Sequence, residues 1–384
     1  MGTWSQMRAS DFIEFNPRLS IKKGAVATKV AMDKLKPFTK KIPETEKAEF
    51  GGGSKFCNGD TIMARITPCL ENGKTAFIDI LEDNEIAFGS TEFIVMRARD
   101  GVSDPQFVYY LATSPMFRSI AIKSMVGSSG RQRVQQSVLN ELNLNVPSLE
   151  EQKRIGSFLA LLDEKIAINN QINDNLQQQA SALFDSFYKR AIVEVGFTEI
   201  IQILGGGTPK TGESSYWNGL IPFFTPKDVG SPYTLSTEKT ITEEGLSHCN
   251  SRLYPVNTVF VTARGTVGKV GMSGVPMAMN QSCYALVGND THQLLVYFYT
   301  LKAVDRLKHK ASGAVFDAIT TRDFDSEYIM KLSAGDEKAF LDVAEPIYQA
   351  LLSNSIENMR LAVLRDSLLP KLMSGEIDVS NIQP

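Results

Sequence analysis

The sequence predicts an α/β protein: two similar mixed α/β domains, each followed by one long helix able to pair with the other. Three observations predict it. An apolar repeat of 3.5 residues runs through residues 148–190. The same repeat recurs 185 residues later. The segments before the two repeats share one order of short strands, turns and an aromatic helix.

The first long helix rests on positions alternately four and three apart: Ile155, Leu159, Leu162, Ile166, Asn169, Asn173, Leu176, Ala180, Leu183 and Phe187. Eight are apolar and two are Asn, the signature of a helix meeting another long helix. Pro147 blocks earlier helix, Ser148 can N-cap, and Glu151 three residues on completes a capping box. About 40 residues at 1.5 Å rise make a rod of about 60 Å. Adding 185 gives Phe340, Ala344, Ile347, Leu351, Asn354, Asn358, Leu361, Arg365, Leu368 and Leu372. Nine of the ten keep their class, both Asn included, and Ser333 with Asp336 repeats the box. Asn in an apolar seam costs stability but fixes register. The shared offset argues against two unrelated amphipathic helices.

The preceding segments, 1–147 and 196–333, repeat a feature order. A strand after an Asx residue comes first, Asp60–Arg65 and Asn257–Arg264. A Gly-Lys turn follows, Gly73-Lys74 and Gly268-Lys269, then an apolar strand at Phe93–Arg97 and Tyr284–Val287. Aromatic helices come next, from Gln106 and Gln293. A Ser-Gly turn (Ser129-Gly130, Ser312-Gly313) and a short strand lead into the rod. Tyr109, Tyr110, Tyr297 and Tyr299 are expected in cores rather than as stacking platforms, and Trp217 likewise. The side chains mostly differ, so one fold with two different surfaces is expected.

Composition is that of a globular chain, with 43% hydrophobic and 22% charged residues. No run of 18 apolar residues exists, and the opening MGTWSQM lacks a basic segment followed by an apolar one. The four Cys (57, 69, 249, 283) are scattered without Cys-x-x-Cys, so a reduced cytoplasm is the expected compartment, with no membrane. Net charge is −3, but residues 1–147 carry +3 and residues 334–384 carry −4. A nucleic-acid face would therefore be local.

Catalytic motifs are missing. Gly205–Thr211 has Pro209 where a phosphate loop needs Gly before Lys, and Arg264–Lys269 is followed by Val270 rather than Ser or Thr. Three dispersed His make no metal set. No glycine fingerprint for S-adenosylmethionine, Asn-Pro-Pro-aromatic tetrad or nuclease carboxylate set is present. The chain reads as a binding module and not an enzyme, with no cofactor of its own.

Several stretches together resemble the specificity subunits of type I restriction-modification systems. Pro147–Ile155 with Leu161–Ile166 looks like the start of the family's central conserved helix, and Leu368–Glu376 like the end of its C-terminal one. Gly206–Lys210, Tyr216-Trp217, Ile221-Pro222 and Thr225–Asp228 are similar to the opening of a target-recognition domain, and Glu14–Arg18 to another. The second helix departs from the pattern at Gly335–Phe340 and at Arg365. The resemblance implies target-recognition domains at 1–147 and 196–333, a central conserved helix at 148–195 and a C-terminal one at 334–384. It implies that the helices pair antiparallel. Each domain would read half of a bipartite, asymmetric site in double-stranded DNA. Two methyltransferase (modification) subunits with S-adenosylmethionine would dock alongside, and an ATP- and Mg-dependent restriction subunit would join for cleavage. A competing reading is a coiled-coil scaffold or decoy for methyltransferase subunits. It explains the helices but not the divergent surfaces. An NTPase using the glycine-rich loops ranks third.

Candidate DNA contacts are polar residues at glycine-rich turns. In the first domain these are Lys22, Lys55, Lys74, Arg131, Gln132 and Arg133; in the second, Lys210, Thr211, Tyr216, Lys227, Arg264 and Lys269. The strongest is the Ser128–Arg133 turn. Helix pairing is assigned to Leu162, Ile166, Asn169, Asn173, Leu176, Ile347, Leu351, Asn354, Asn358 and Leu361.

Overall fold

A computed structural model of the chain describes residues 4–230, 232–310 and 318–379. Ser312-Gly313 lies outside the described residues. Two helices of 40 residues, Leu149–Tyr188 and Ala334–Met373, dominate the element order. Packing divides the chain into two compact units, Met1–Ile168 with Asn358–Pro384, and Asn169–Glu357. Each unit thus holds one α/β domain and half of each long helix.

In the first unit an antiparallel sheet has the order Ile13–Phe15, Phe93–Ala98, Thr61–Ala64, Thr75–Phe77. A second sheet runs Glu46–Glu49, Val26–Val30, Ala87–Gly89, Lys55–Phe56, with one parallel pairing between Val26–Val30 and Ala87–Gly89. The strand Ser5–Arg8 pairs with Asn143–Val146, the strand that leads into the long helix. The second unit repeats this plan. Its main sheet has the order Ile201–Gly205, Cys283–Gly288, Val259–Thr262, Val270–Ser273, Tyr233–Thr234. Its second sheet again joins an antiparallel and a parallel pair, Lys239–Ile241, Trp217–Phe224 and Ala278–Met279. Val193–Gly196 pairs with Tyr328–Lys331 as the closing ribbon.

Strand register makes the repeat exact enough to correct the alignment of the two domains. Ala64 opposes Phe93, and Thr262 opposes Cys283. The next amide, Arg65 N–H, donates to Glu92 O at 2.9 Å, and its counterpart Ala263 N–H donates to Ser282 O at 2.8 Å. The bridge partner of Arg133 is Ile66, and that of Ala318 is Arg264. Arg65 therefore corresponds to Ala263 and not to Arg264, which takes the place of Ile66. The two Gly-Lys turns do correspond: Gly73 and Gly268 both sit at positive φ, 71° and 73°. The positive φ favours glycine at both turns, and a Cβ at Gly73 would also lie 2.6 Å from the ring of Phe38, which would have to move.

The aromatic helices are buried as expected, with Tyr109, Tyr110, Tyr297 and Tyr299 at 4% exposure or less. The helix of the first domain is broken in two, Pro105–Thr113 and Pro115–Lys123, because Ser114 caps a new start with Pro115 at its first position. The second domain has Leu301-Lys302 at that point and keeps one helix, Gln293–Lys310. Trp217 is only half-buried, its indole donating to Lys210 O at 3.1 Å.

All twenty seam positions are buried or half-buried. Antiparallel pairing follows from the contacts in each unit. In the second, Asn354 Nδ2 donates to Asn173 Oδ1 at 2.9 Å, Asn173 Nδ2 to Ser355 Oγ at 3.4 Å, and Asn169 Nδ2 to Glu357 Oε2 at 2.7 Å. In the first, Arg365 pairs with Asp163 at 2.5 Å, which explains an Arg in the seam. Leu162, Ile166, Leu176, Ile347 and Leu361 are half-buried, Leu351 is fully buried, and Asn358 is half-buried in the first unit. The capping boxes differ from expectation. Ser148 Oγ accepts from Glu151 N–H at 3.4 Å, but the Glu151 carboxylate takes the Trp4 indole N–H instead of closing the box. Asp336 takes the Ser333 hydroxyl and Arg190.

The two domains grip the helices by different chemistry. In the first, Asp163 accepts from Arg365 and from the Tyr110 hydroxyl, both at 2.5 Å. Lys40, 4% exposed, donates to Gln106 and lies 5.1–5.6 Å from the centroids of Phe77, Tyr109 and Tyr110. Burial pushes the Lys40 ammonium down to about 8, against the opposing pull of Asp163. The 185-residue offset carries Asp163 onto Tyr348 and Arg365 back onto Ala180. There the contact is aromatic: Tyr348 packs on Tyr297, Phe298 and Tyr233 with centroids 5.7–6.3 Å apart.

Candidate nucleic-acid interface

In each domain an open cleft lies at the end of the central strand pair. In the first it measures about 540 Å³ and is lined by Asn16, Arg18, Ser54, Lys55, Arg65 and Thr91 among others. The chain leaves the strand Ile13–Phe15 through Asn16, whose φ is +51°. Asn16 is pinned there, its N–H donating to Val95 O at 2.7 Å and its Oδ1 accepting from Val95 N–H at 3.0 Å. That turn delivers Arg18, exposed, to the cleft. Lys55 sits with its ammonium 5.3 Å from the Phe50 ring centroid. Arg65 reaches Val134 O through Nη2 at 3.4 Å, while its Nε has no hydrogen-bond partner among the described residues. The lining holds three cations and no carboxylate.

The second cleft, about 620 Å³, is lined by Thr225, Lys227, Lys239, Arg264, Asn280 and Ser282 among others. Asp228 shapes it: its carboxylate accepts from Thr225 N–H and Oγ1, and from Glu238 N–H. Three cations again line it, with Glu238 as the one carboxylate, 3.7 Å from Lys227 and exposed. Arg264 follows the strand Val259–Thr262, and Ser282 precedes Cys283–Gly288. By strand register Arg264 takes the place of Ile66 and Ser282 that of Glu92, neither of which lines the first cleft, so the two clefts lie at the same strand ends but draw on different positions of the repeat.

The Ser128–Arg133 turn lies beside the first cleft. Val126 and Arg133 close it as a small ladder, with Gly127 and Gly130 at φ 132° and 77°. Gln132 O accepts from Thr67 N–H at 3.0 Å, and Arg131 is exposed. The Arg133 guanidinium is fixed on Glu92 by Nε at 3.0 Å and Nη2 at 2.7 Å. It holds the Glu92 carboxyl below its ordinary value.

Of the other candidates, Lys55, Lys227 and Arg264 line the clefts, and six do not. Lys22 is exposed in a turn before Val26–Val30. Lys74 donates to Met32 O at 2.9 Å. Lys210, Thr211 and Lys269 are exposed. Tyr216 stacks on His248 at 4.9 Å. Arg18, Arg65, Lys239 and Asn280 also line the clefts, and no glycine-rich turn marks them in the sequence. Arg65 could be found instead as the cation directly after a central strand. Neither glycine-rich stretch opens a helix, as a phosphate loop would: 264–269 joins two strands of one hairpin, and Gly205 ends a strand. Among the described residues no group of His, Cys, Asp and Glu could hold a metal, and no helix is long and apolar enough to cross a membrane.

Fold and clefts define the class: a duplicated α/β binding module on shared helices, with one basic cleft per copy. The family profile "Type I restriction modification DNA specificity domain" matches residues 3–178 and 192–331. The chain belongs to that family. It is similar to the type I restriction enzyme HindI specificity subunit of Haemophilus influenzae, 26% identical over 83% of this chain and 86% of that one. The EcoR124I/EcoR124II specificity subunit of Escherichia coli is 36% identical over 26% of each chain. The crystal structure of a type I restriction-modification S subunit from M. genitalium shares the fold, with a TM-score of 0.58 at 16% identity over 97% of this chain and 96% of that one.

Proposed function

We propose that each domain holds one half of a bipartite, asymmetric site of double-stranded DNA in its cleft. The paired helices set the number of base pairs between the halves. Two methyltransferase subunits carrying S-adenosylmethionine dock on this chain, and an ATP- and Mg-dependent restriction subunit completes the cleaving complex. This chain contributes recognition and no chemistry, as a specificity subunit does.

The observation that carries the reading is one cleft in each domain at the end of its central strands, each lined by three cations. Cations at a concave surface neutralise phosphates and hold register on the duplex. The polar residues between them differ: Asn16, Ser54 and Thr91 in one, Thr225, Asn280 and Ser282 in the other. Different linings read different bases, so the site is not a palindrome. The test is Arg65→Ala and Arg264→Ala in the complex with its methyltransferase subunits, scored on a randomised DNA library. Each should weaken or relax one half-site, and a different one. One substitution altering both half-sites, or neither altering any, would contradict the assignment. The scaffold reading predicts no salt-dependent DNA binding at all.

A further inference from the structure

We infer that Glu92 is a positioning residue: it fixes the Arg133 guanidinium so that Arg133 reads a guanine in the first half-site. This rests on the reading above, that the first cleft faces DNA.

The geometry is specific. An arginine carries five N–H groups in a planar fork. The Glu92 carboxylate engages the Nε–Nη2 edge, and Nη1 reaches only the Arg131 carbonyl at a marginal 3.5 Å. The Nη1–Nη2 edge, which can match guanine O6 and N7, keeps free N–H groups. Glu92 itself is held. Its N–H donates to Ser90 Oγ at 3.1 Å, its carbonyl accepts from Arg65 N–H at 2.9 Å, and its side chain is 23% exposed. A carboxylate on a pinned, partly buried residue therefore orients an exposed arginine beside the cation-lined cleft. An arginine so fixed loses less side-chain freedom on binding. The ladder with Val126 fixes the Arg133 backbone, and Glu92 is the one side chain that engages its guanidinium among the described residues. The second domain lacks the device: Ser282 stands in the place of Glu92 and Ala318 in that of Arg133. Its half-site must be read by other means.

The experiment scores modification of a randomised library by the complex of the full chain with its methyltransferase subunits. The variants are Arg133→Ala, Glu92→Ala, Glu92→Gln and the Glu92→Ala/Arg133→Ala double variant. Arg133→Ala should lose selection for guanine at one position of the first half-site, by about ten- to a hundredfold. Glu92→Ala should relax the same position by less, Glu92→Gln should keep part of the selection, and the double variant should match Arg133→Ala alone. The second half-site should not change in any of them. A Glu92→Ala motif equal to the parent's, or effects of Glu92→Ala and Arg133→Ala that add, would overturn the inference. So would an Arg133→Ala loss uniform over all sequences, which means a phosphate contact. In each of these cases a retained bipartite motif leaves the two-cleft reading standing. Loss of that reading would show instead in the Arg65→Ala and Arg264→Ala motifs.

Discussion

Replacing Asp163 with Ala should unfold the first unit early. Asp163 and Arg365 have side-chain exposures of 7% and 14%, so water replaces little of what is lost. The carboxylate accepts one charge-assisted bond from Arg365 and one from the Tyr110 hydroxyl. Bonds to charged groups contribute about 1.5–3 kcal/mol each, and breaking a buried pair costs about 3–5 kcal/mol. Arg365 keeps Asp366 at 2.8 Å, a carboxylate 63% exposed, which argues for the lower end, about 3 kcal/mol. At about 2–4 °C per kcal/mol this lowers the midpoint by about 6–12 °C. The chain has two Trp, and they fall in different units. In a Trp217→Phe background Trp4 reports the first unit alone, through an indole bonded to Glu151 on the long helix. Urea or thermal unfolding followed by Trp4 fluorescence measures the shift. Asp163→Leu with Arg365→Met should recover most of it, because no charge is then left buried. A loss under about 1 kcal/mol, or a double variant as unstable as Asp163→Ala, would refute the assignment of this pair as the grip on the helices.

Lys40 makes stability depend on alkaline pH. Its folded value of about 8 lies below the ordinary 10.5, so the unfolded chain binds more protons between these limits. Its contribution is least favourable below pH 8 and improves as pH rises towards 10.5, by up to about 3 kcal/mol. Comparison with Lys40→Met by urea titration at pH 7 to 10 isolates it, since buried Tyr109 and Tyr110 act in the opposite direction above pH 10. Arg131→Ala should relax or weaken the first half-site only, read from the modified motif; an altered second half-site would exclude that turn. Four residues inserted into both helices, at 168/169 and 357/358, should lengthen the spacer by about one or two base pairs with both half-sites unchanged, from about 6 Å of added rise. An active insertion variant with the parent spacer would show that the helices do not set it. The purified chain alone should show no methyltransferase, ATPase or nuclease turnover.

The helices were legible because a 3.5-residue repeat and a 185-residue offset need no tertiary information. The sequence could not place the insertion point. Ala180 looks like any seam position, yet it is fully buried against the second domain's core beside Phe184, where added residues would misregister that unit. The aromatic helix faces were legible from spacing. The clefts were only partly so. Lys55, Lys227 and Arg264 sit at glycine-rich turns, whereas Arg18 and Arg65 reach the first cleft through the Asn16 turn and a strand end. Pairing residue 65 with 264 by eye was natural, since both read Ala-Arg; only strand register separates them by one residue. The Glu92–Arg133 pair joins residues 41 apart in sequence, and no local pattern reveals it.

The central claim is that two unlike domains read two unlike half-sites at a fixed separation. Methylation-sensitive sequencing of DNA from cells carrying this chain with its methyltransferase subunits tests it most directly. The account predicts one motif with two short specified halves of different sequence, separated by an unspecified spacer of a single length. A continuous motif, a palindrome, or halves at variable spacing would contradict it.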